Sequence, residues 1–299
     1  LLASGERVEL ARGAASQSSW QNLELPPAVR ERLQQGSRIA RRLAEGVVDI
    51  CKRYEPHIRE RFPKTIRRNA GYALDMMLAD IDEARERGVD PLETLNLAHL
   101  ICGSEGTLAI TTAATLRLHP IPKSKGLAVI GFDTLEAAID AVVPLLELKP
   151  SAVELLDDMI VGLARQNIEY REYVDLMPQP TSGALAAVLY VEFFSEHGDE
   201  EIADRFARTR ELIKARAPGA GFAAYTDAIS MGQALKLRKA GEPLLHGVPG
   251  KRKPLGFVED NAVPVERLAE FVREFRRILE KHGTRAAFWA HASVGVLHV

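Results

Sequence analysis

The feature that most constrains the fold is an alternation of short apolar runs and amphipathic stretches between residues 127 and 225. Residues 127–132 have the length and composition of a buried strand. Asp133-Thr134-Leu135-Glu136 follows with capping-box spacing, in which Asp133 caps the backbone and Glu136 reaches back. The helix it opens is expected to run to about Glu147. Residues 152–156 read as a second strand and 185–194 as a third. Asp199-Glu200-Glu201 sets three acids at the positive end of another helix, which stops near Ala217-Pro218-Gly219. Residues 221–225 supply the last strand. Two β-α-β units in this order predict a ferredoxin-like sheet.

The flanks are more helical. Residues 26–62 carry Val29, Leu33, Ile39, Leu43, Val47, Val48 and Ile50 at helical spacing, and Pro26-Pro27 suit a first turn. Residues 93–118 read as a helical lead-in, a Gly-rich turn and a strand over 111–118. His119-Pro120-Ile121-Pro122-Lys123-Ser124-Lys125-Gly126 is the linker candidate, because its prolines and glycine oppose both helix and central strand. Residues 264–282 form an amphipathic helix with a stripe of Leu268, Phe271, Val272, Phe275, Ile278 and Leu279, and Gly283 just past its end. A chain of 299 residues holds two ordinary domains, and the linker divides it into 1–122 and 123–299. Residues 1–7 lack the charged and apolar regions of a signal peptide, and 296–299 stop in a strand-like run. The sequence is therefore expected to be an excerpt of a longer protein.

Composition excludes several classes. Lys plus Arg number 39 against 41 Asp plus Glu, so there is no basic excess to favour nucleic acid. The basic stretch from Arg30 to Arg68 is interleaved with acids and reads as solvated helix faces. No apolar run approaches the roughly 20 residues of a transmembrane segment. Cys51 and Cys102 form no CxxC pair, so neither a zinc ribbon nor an iron–sulfur cluster is encoded here. Both sit in apolar surroundings and are expected to be packing residues. Two thiols fit a reducing compartment, and a cytoplasmic protein is expected, with peripheral association at the inner membrane as the alternative.

Four sequence features can carry chemistry. Gly103-Ser104-Glu105-Gly106-Thr107-Leu108 makes a turn that a bulky ligand can approach, with N–H groups suited to a phosphate. The same pattern also serves as a plain tight turn. His291 and His298 are seven residues apart, which would put them on opposite faces of one straight strand. A bend at Ser293-Val294-Gly295 lets both imidazoles face one site, where they suit zinc or a similar ion without completing its ligand set. Hydrogen-bonded structural histidines are the alternative, and the other six histidines read as structural or exposed. Lys236-Leu237-Arg238-Lys239 and Lys251-Arg252-Lys253 offer cations for a carboxylate or a solvated face. Glu259-Asp260 is an acid pair near a site or a cap for the helix that follows.

Taken together, these motifs resemble the flavin-linked oxidases of the vanillyl-alcohol-oxidase fold. The branch is that of the D-lactate and D-2-hydroxyglutarate dehydrogenases and the glycolate oxidase subunit. The pattern GSEGTLGI is similar to Gly103-Ser104-Glu105-Gly106-Thr107-Leu108-Ala109-Ile110, and DNTGY to Arg68-Asn69-Ala70-Gly71-Tyr72. Leu237-Arg238-Lys239-Ala240-Gly241 resembles the WxxR region, Glu259-Asp260-Asn261-Ala262-Val263-Pro264 resembles EDVAVP, and 290–298 match GHxGDGNLH at both histidines. Ala290, Val294 and Val296 depart from that last pattern, standing where Gly, Asp and Asn are usual. The resulting HASVGxLH, with the long insert between Tyr72 and Leu100, looks like the large bacterial branch in which an iron–sulfur part is fused to the flavin part.

The resemblance implies an α+β chain. Residues 1–122 would be the C-terminal part of a VAO-type FAD-binding domain, and 123–299 a truncated ferredoxin-like substrate cap. It implies that Gly103, Ser104, Glu105, Gly106, Thr107 and Ile110 hold FAD, with Asn69 and Gly71 nearby. Arg238 would bind a substrate carboxylate, with help from Lys253. His291 and His298 would bind a divalent ion, zinc or manganese, or the substrate hydroxyl, and one could serve as base. The implied reaction is oxidation of a small D-2-hydroxy acid to the 2-oxo acid. The electrons would leave through an iron–sulfur part beyond Val299 or another acceptor. The family's pyrophosphate loop would precede Leu1, the third metal ligand would follow Val299, and a homo-oligomer is compatible. The rival reading is a non-catalytic flavin-binding subunit or cap module.

Overall fold

The computed structural model describes residues 1–10, 12, 26–68, 71–248, 250–251, 253–256 and 258–299. The chain forms two compact units, Leu1–Lys64 with Arg68–Leu118, and Thr65–Arg67 with His119–Val299. No helix among the described residues is long and apolar enough to cross a membrane.

In the first unit, α1 (Pro27–Arg61) packs on α2 (Leu74–Arg87), with the short helices α3 (Pro91–Thr94) and α4 (Ala98–Ile101) following. Pro27 occupies the first turn, where a missing N–H costs nothing. The buried stripe of α1 is Ala40, Ala44, Val48, Cys51 and Ile58, whereas Leu43 and Ile50, expected on that face, are exposed. Small residues at 40 and 44 permit close approach, which larger side chains would prevent. Val29 and Leu33 lie outside the described side chains. Gly88, at φ 65°, closes α2 in a left-handed cap, and Asp90 with Glu93 forms a capping box on α3.

Two expectations fail in this unit. Residues 111–118 form no strand, since among the described residues they have no ladder partner to satisfy their backbone. Cys102 is exposed rather than packed, and only Cys51 is buried.

The second unit is α+β. Its strands are β1 (Ser124–Phe132), β2 (Ala152–Asp157), β3 (Ala187–Ser195) and β4 (Gly221–Tyr225). Between β1 and β2 runs α5 (Leu135–Leu146), between β2 and β3 run α6 (Asp158–Gln166) and α7 (Arg171–Asp175), and between β3 and β4 runs α8 (Asp199–Arg216). After them come α9 (Ala228–Lys239), α10 (Gly241–His246), β5 (Asn261–Ala262), α11 (Leu268–Lys281), β6 (Trp289–His291) and β7 (Val296–His298). The strand order is β4-β1-β3-β2-β6-β7-β5, with every neighbouring pair antiparallel. The first four strands thus reproduce the ferredoxin-like order, and β6, β7 and β5 extend it beyond β2.

Both faces of this sheet are covered. Ala128, Ile130 and Phe132 of β1 and Leu189, Val191 and Phe193 of β3 join the core that includes α5 and α8, with α11 against it. Leu127, Val129, Val188 and Tyr190 face the other core, with Ile160 of α6, Leu237 of α9 and Leu244 of α10. Two buried faces explain why these strands read as near-continuous apolar runs. The cap of α5 is Thr134, whose Oγ1 accepts from Ala137 N–H at 3.2 Å. Asp133 is therefore not the cap, and Glu136 is held instead by Arg276 of α11. On α11, Leu268 and Val272 are buried, but Ile278 is exposed.

Candidate functional site

Glu154 is an acid in the middle of the apolar β2 run. The antiparallel register sets it opposite Tyr190 of β3 and His291 of β6. Cross-strand partners share a face, so these three side chains line one side of the sheet. Glu192, two residues along β3 from Tyr190, shares that face. Burial raises its carboxyl, Lys125 opposes the shift, and Glu154 adds repulsion.

The histidine spacing is resolved by a hairpin. β6 ends at His291, Ala292–Val294 form a 3₁₀ turn, and Gly295 reverses the chain at φ 68°. In the resulting register Trp289 faces His298 and His291 faces Val296. Both imidazoles therefore emerge on one face despite their odd separation. Their ring centroids are 5.3 Å apart at 81°, and the Trp289 indole stacks on His298 at 5.3 Å and 12°. An ideal Cβ on Gly295 would sit 2.0 Å from the Val263 carbonyl oxygen, so the hairpin tip has room only for hydrogen.

Carboxylates meet this cluster from two sides. Glu154 Oε2 accepts from Arg238 Nε at 3.0 Å and Nη2 at 2.6 Å, and both Glu154 oxygens lie 2.9 Å from His291 Nδ1. The Arg238 side chain is 15% exposed and Glu154 21%. Glu259 Oε2 lies 2.5 Å from His298 Nδ1, with Asp260 Oδ1 at 3.9 Å. Glu259 and Asp260 thus serve the histidine rather than a helix, which opens after Pro264 without a side-chain cap. The solvated-face reading holds for the exposed Lys239 and for Lys236, whose Nζ donates to the Tyr173 hydroxyl at 2.7 Å, but not for Arg238. Lys253 is exposed and donates to the Val248 carbonyl at 2.6 Å, within its own loop. Arg252 lies outside the described residues.

Asp157, at the end of β2, anchors the strand that carries His291. Its carboxyl accepts from Ile160 N–H at 3.1 Å and Phe288 N–H at 2.6 Å. Burial pushes its pKa up to about 7, against the pull of those two donors.

In the first unit, the 103–107 segment is a turn with positive φ at Gly103, Glu105 and Gly106. Ser104 is buried, its Oγ donating to Ile101 O at 2.9 Å, and Thr107 Oγ1 donates to Ser104 O at 2.6 Å. The Tyr72 hydroxyl meets Thr107 Oγ1 at 2.9 Å. Among the described residues, the N–H groups of Glu105 and Gly106 have no backbone acceptor. Nothing lies within 4 Å of where a Gly106 or Gly71 Cβ would be. Exposed donors in an open left-handed turn suit a phosphate-bearing cofactor. Ile110 is 65% exposed, and Asn69 lies outside the described residues.

A divalent ion is a partial fit. Each imidazole meets a carboxylate through Nδ1, the outer contact that metal-binding histidines commonly make. Yet among the described residues no three His, Cys, Asp or Glu side chains are grouped to hold a metal. Glu154, Trp289 and Asp157 are site residues that motif spacing did not single out. Only Glu154 gave a signal, as a lone acid in an apolar run.

Residues 121–299 match the family of FAD linked oxidases, C-terminal domain. Over 279 residues the chain is 30% identical to the D-2-hydroxyglutarate dehydrogenase of Pantoea ananatis, covering 92% of this chain and 26% of that protein. It is 28% identical to the probable mitochondrial D-lactate dehydrogenase of Danio rerio over 235 residues, 75% of this chain and 44% of that one. It is likewise 28% identical to glycolate oxidase subunit GlcD of Bacillus subtilis over 229 residues, 75% of this chain and 45% of the relative. The chain thus spans about a quarter to a half of the length of these relatives. The chain belongs to the FAD linked oxidases, and residues 121–299 are that family's C-terminal domain.

Proposed function

We propose that this chain is the substrate-binding part of a flavin-dependent dehydrogenase that converts a small D-2-hydroxy acid to its 2-oxo acid. The observation that carries the reading is a half-buried arginine beside two paired imidazoles on one face of one sheet. Arg238 grips the substrate carboxylate, which a planar guanidinium matches in two-pronged fashion. Lys253 adds a second cation from its loop. His291 or His298 takes the hydroxyl proton as C2 is oxidised. FAD, when bound, supplies the acceptor for the hydride from C2. Its phosphates are held by the turn of Gly103, Ser104, Glu105, Gly106 and Thr107, with Asn69, Gly71 and Ile110 alongside. Residues 1–122 then complete a flavin-binding domain and 123–299 form the substrate cap.

The relatives' names support the substrate class, covering D-2-hydroxyglutarate, D-lactate and glycolate. In this reading His291 and His298 hold zinc or manganese when a third ligand reaches them from outside the described residues. The electrons pass to an iron–sulfur part outside this chain or to another acceptor, in a cytoplasmic enzyme able to form homo-oligomers. The test is a panel of D- and L-2-hydroxy acids offered to the full-length flavoprotein with an artificial electron acceptor. Turnover of at least one D-acid is expected, and none from any D-acid would overturn the reading.

A further inference from the structure

Resting on that reading, we infer that Glu154 is a positioning residue, which sets both the free edge of Arg238 and the tautomer of His291. A guanidinium can only donate, and Glu154 Oε2 takes the hydrogens of Nε and one of Nη2. What remains on Arg238 is the Nη1–Nη2 edge, which carries the geometry for a second carboxylate. One protein carboxylate therefore turns the fork so that its other edge serves the substrate.

The same carboxylate acts on the base. A carboxylate offers only acceptors, so the His291 Nδ1 that lies 2.9 Å from both its oxygens must carry a hydrogen. In the neutral ring the lone pair then resides on Nε2. The His291 side chain is 44% exposed, which leaves Nε2 open to a hydroxyl proton or a metal ion. Glu154 reaches His291 across 137 residues of sequence and Arg238 across 84. The cross-strand register is what makes one side chain reach both.

The isosteric Glu154→Gln variant tests this. Arg238 accepts nothing, so the glutamine carbonyl must take the Oε2 place and the amide NH₂ the Oε1 place, each 2.9 Å from His291 Nδ1. One of the two acceptors facing Nδ1 thereby becomes a donor, which weakens the hold on the Nδ1–H form and lets hydrogen appear on Nε2. Nitrogen NMR of full-length flavoprotein labelled at histidine rings reads this without turnover, the His291 signals being those lost in His291→Gln. Wild type is expected to show a protonated Nδ1 and a bare Nε2, and Glu154→Gln a measurable share of the Nε2–H form. In Glu154→Gln, kcat should fall by at most the roughly 10²- to 10⁴-fold that a general base usually contributes, while KM rises less than in Arg238→Ala. A hydrogen on Nε2 in wild type, a tautomer balance unchanged in the variant, or kcat within threefold of wild type overturns the inference. If the variant loses its flavin or its fold, the wild-type signals alone decide. A wild type inert toward every hydroxy acid would count against the proposed reaction, while the ring signals would still judge Glu154.

Discussion

Gly295→Ala isolates the hairpin that brings the two histidines together. The residue sits at φ 68°, and its added Cβ would lie 2.0 Å from Val263 O and 3.2 Å from Val263 C. The left-handed backbone costs an alanine about 1–2 kcal/mol. The contact with a main-chain carbonyl cannot be relieved by a rotamer change, and overpacking of this kind costs about 1–3 kcal/mol more. Together they amount to about 2–5 kcal/mol, or a melting shift of roughly 4–20 °C for a unit of this size. Gly283→Ala supplies the comparison: φ is 60° there, but nothing lies within 4 Å of the new Cβ, so only the backbone cost applies. Calorimetry of the two variants should show Gly295→Ala losing at least twice as much as Gly283→Ala. Because Val263 N–H donates to Gly295 O at 2.9 Å, the clash also pulls β7 from β5, and the stacking of Trp289 on His298 should be lost from near-UV circular dichroism. Equal melting temperatures for the two variants would refute the steric argument.

Four other outcomes are expected. Arg238→Ala should raise KM for the hydroxy acid by roughly 30- to 1000-fold, the equivalent of about 2–4 kcal/mol for a charge-assisted pair, with flavin content unchanged; near-normal steady-state kinetics would remove Arg238 from the site. Gly106→Leu in the full-length protein should abolish flavin retention, read as absorbance per protein, while circular dichroism stays native. The folded Asp157 carboxyl, at about 7 against an ordinary 3.8, holds a proton that the unfolded chain has released, so its contribution to stability is full below about pH 4 and lost as pH rises through about 7. Urea unfolding should show that loss as at most about 4 kcal/mol, and Asp157→Asn should remove this part of the pH slope; an unchanged slope would clear Asp157. Full-length enzyme stripped with a strong chelator should lose activity and regain it with zinc or manganese, whereas full activity in preparations shown metal-free by elemental analysis would leave the imidazoles acting directly on the hydroxyl.

The ferredoxin-like portion was legible because each of its signals is local. β1 and β3 are long apolar runs, and their helices start at polar caps. Even there the cap slipped by one residue, from Asp133 to Thr134, since both can accept from the first turn. The strand expected over 111–118 shows the opposite limit: β-branched composition favours extension, but a strand needs a ladder that sequence does not display. For the site, the bend at 293–295 could be read from Gly295, and with it the meeting of the histidines. Glu154 could not be assigned a partner, because that requires knowing that β6 pairs with β2 rather than with β4. Strands of two and three residues such as β5, β6 and β7 carry too little pattern to announce their neighbours.

The extension beyond β2 has a consequence for how the protein survives change. In a four-stranded sheet of order β4-β1-β3-β2, the β2 strand would be an open edge, ready to recruit another chain. Here β6 covers it, and β6 is also the strand that presents His291. A substitution that loosens β6 therefore both dismantles the histidine pair and uncovers an aggregation-prone edge. Variants that lose function this way should precipitate rather than persist as inert folded protein. Natural selection acting only against aggregation would then preserve the β6 strand even where the chemistry had been lost, and descendants without activity would still keep the hairpin.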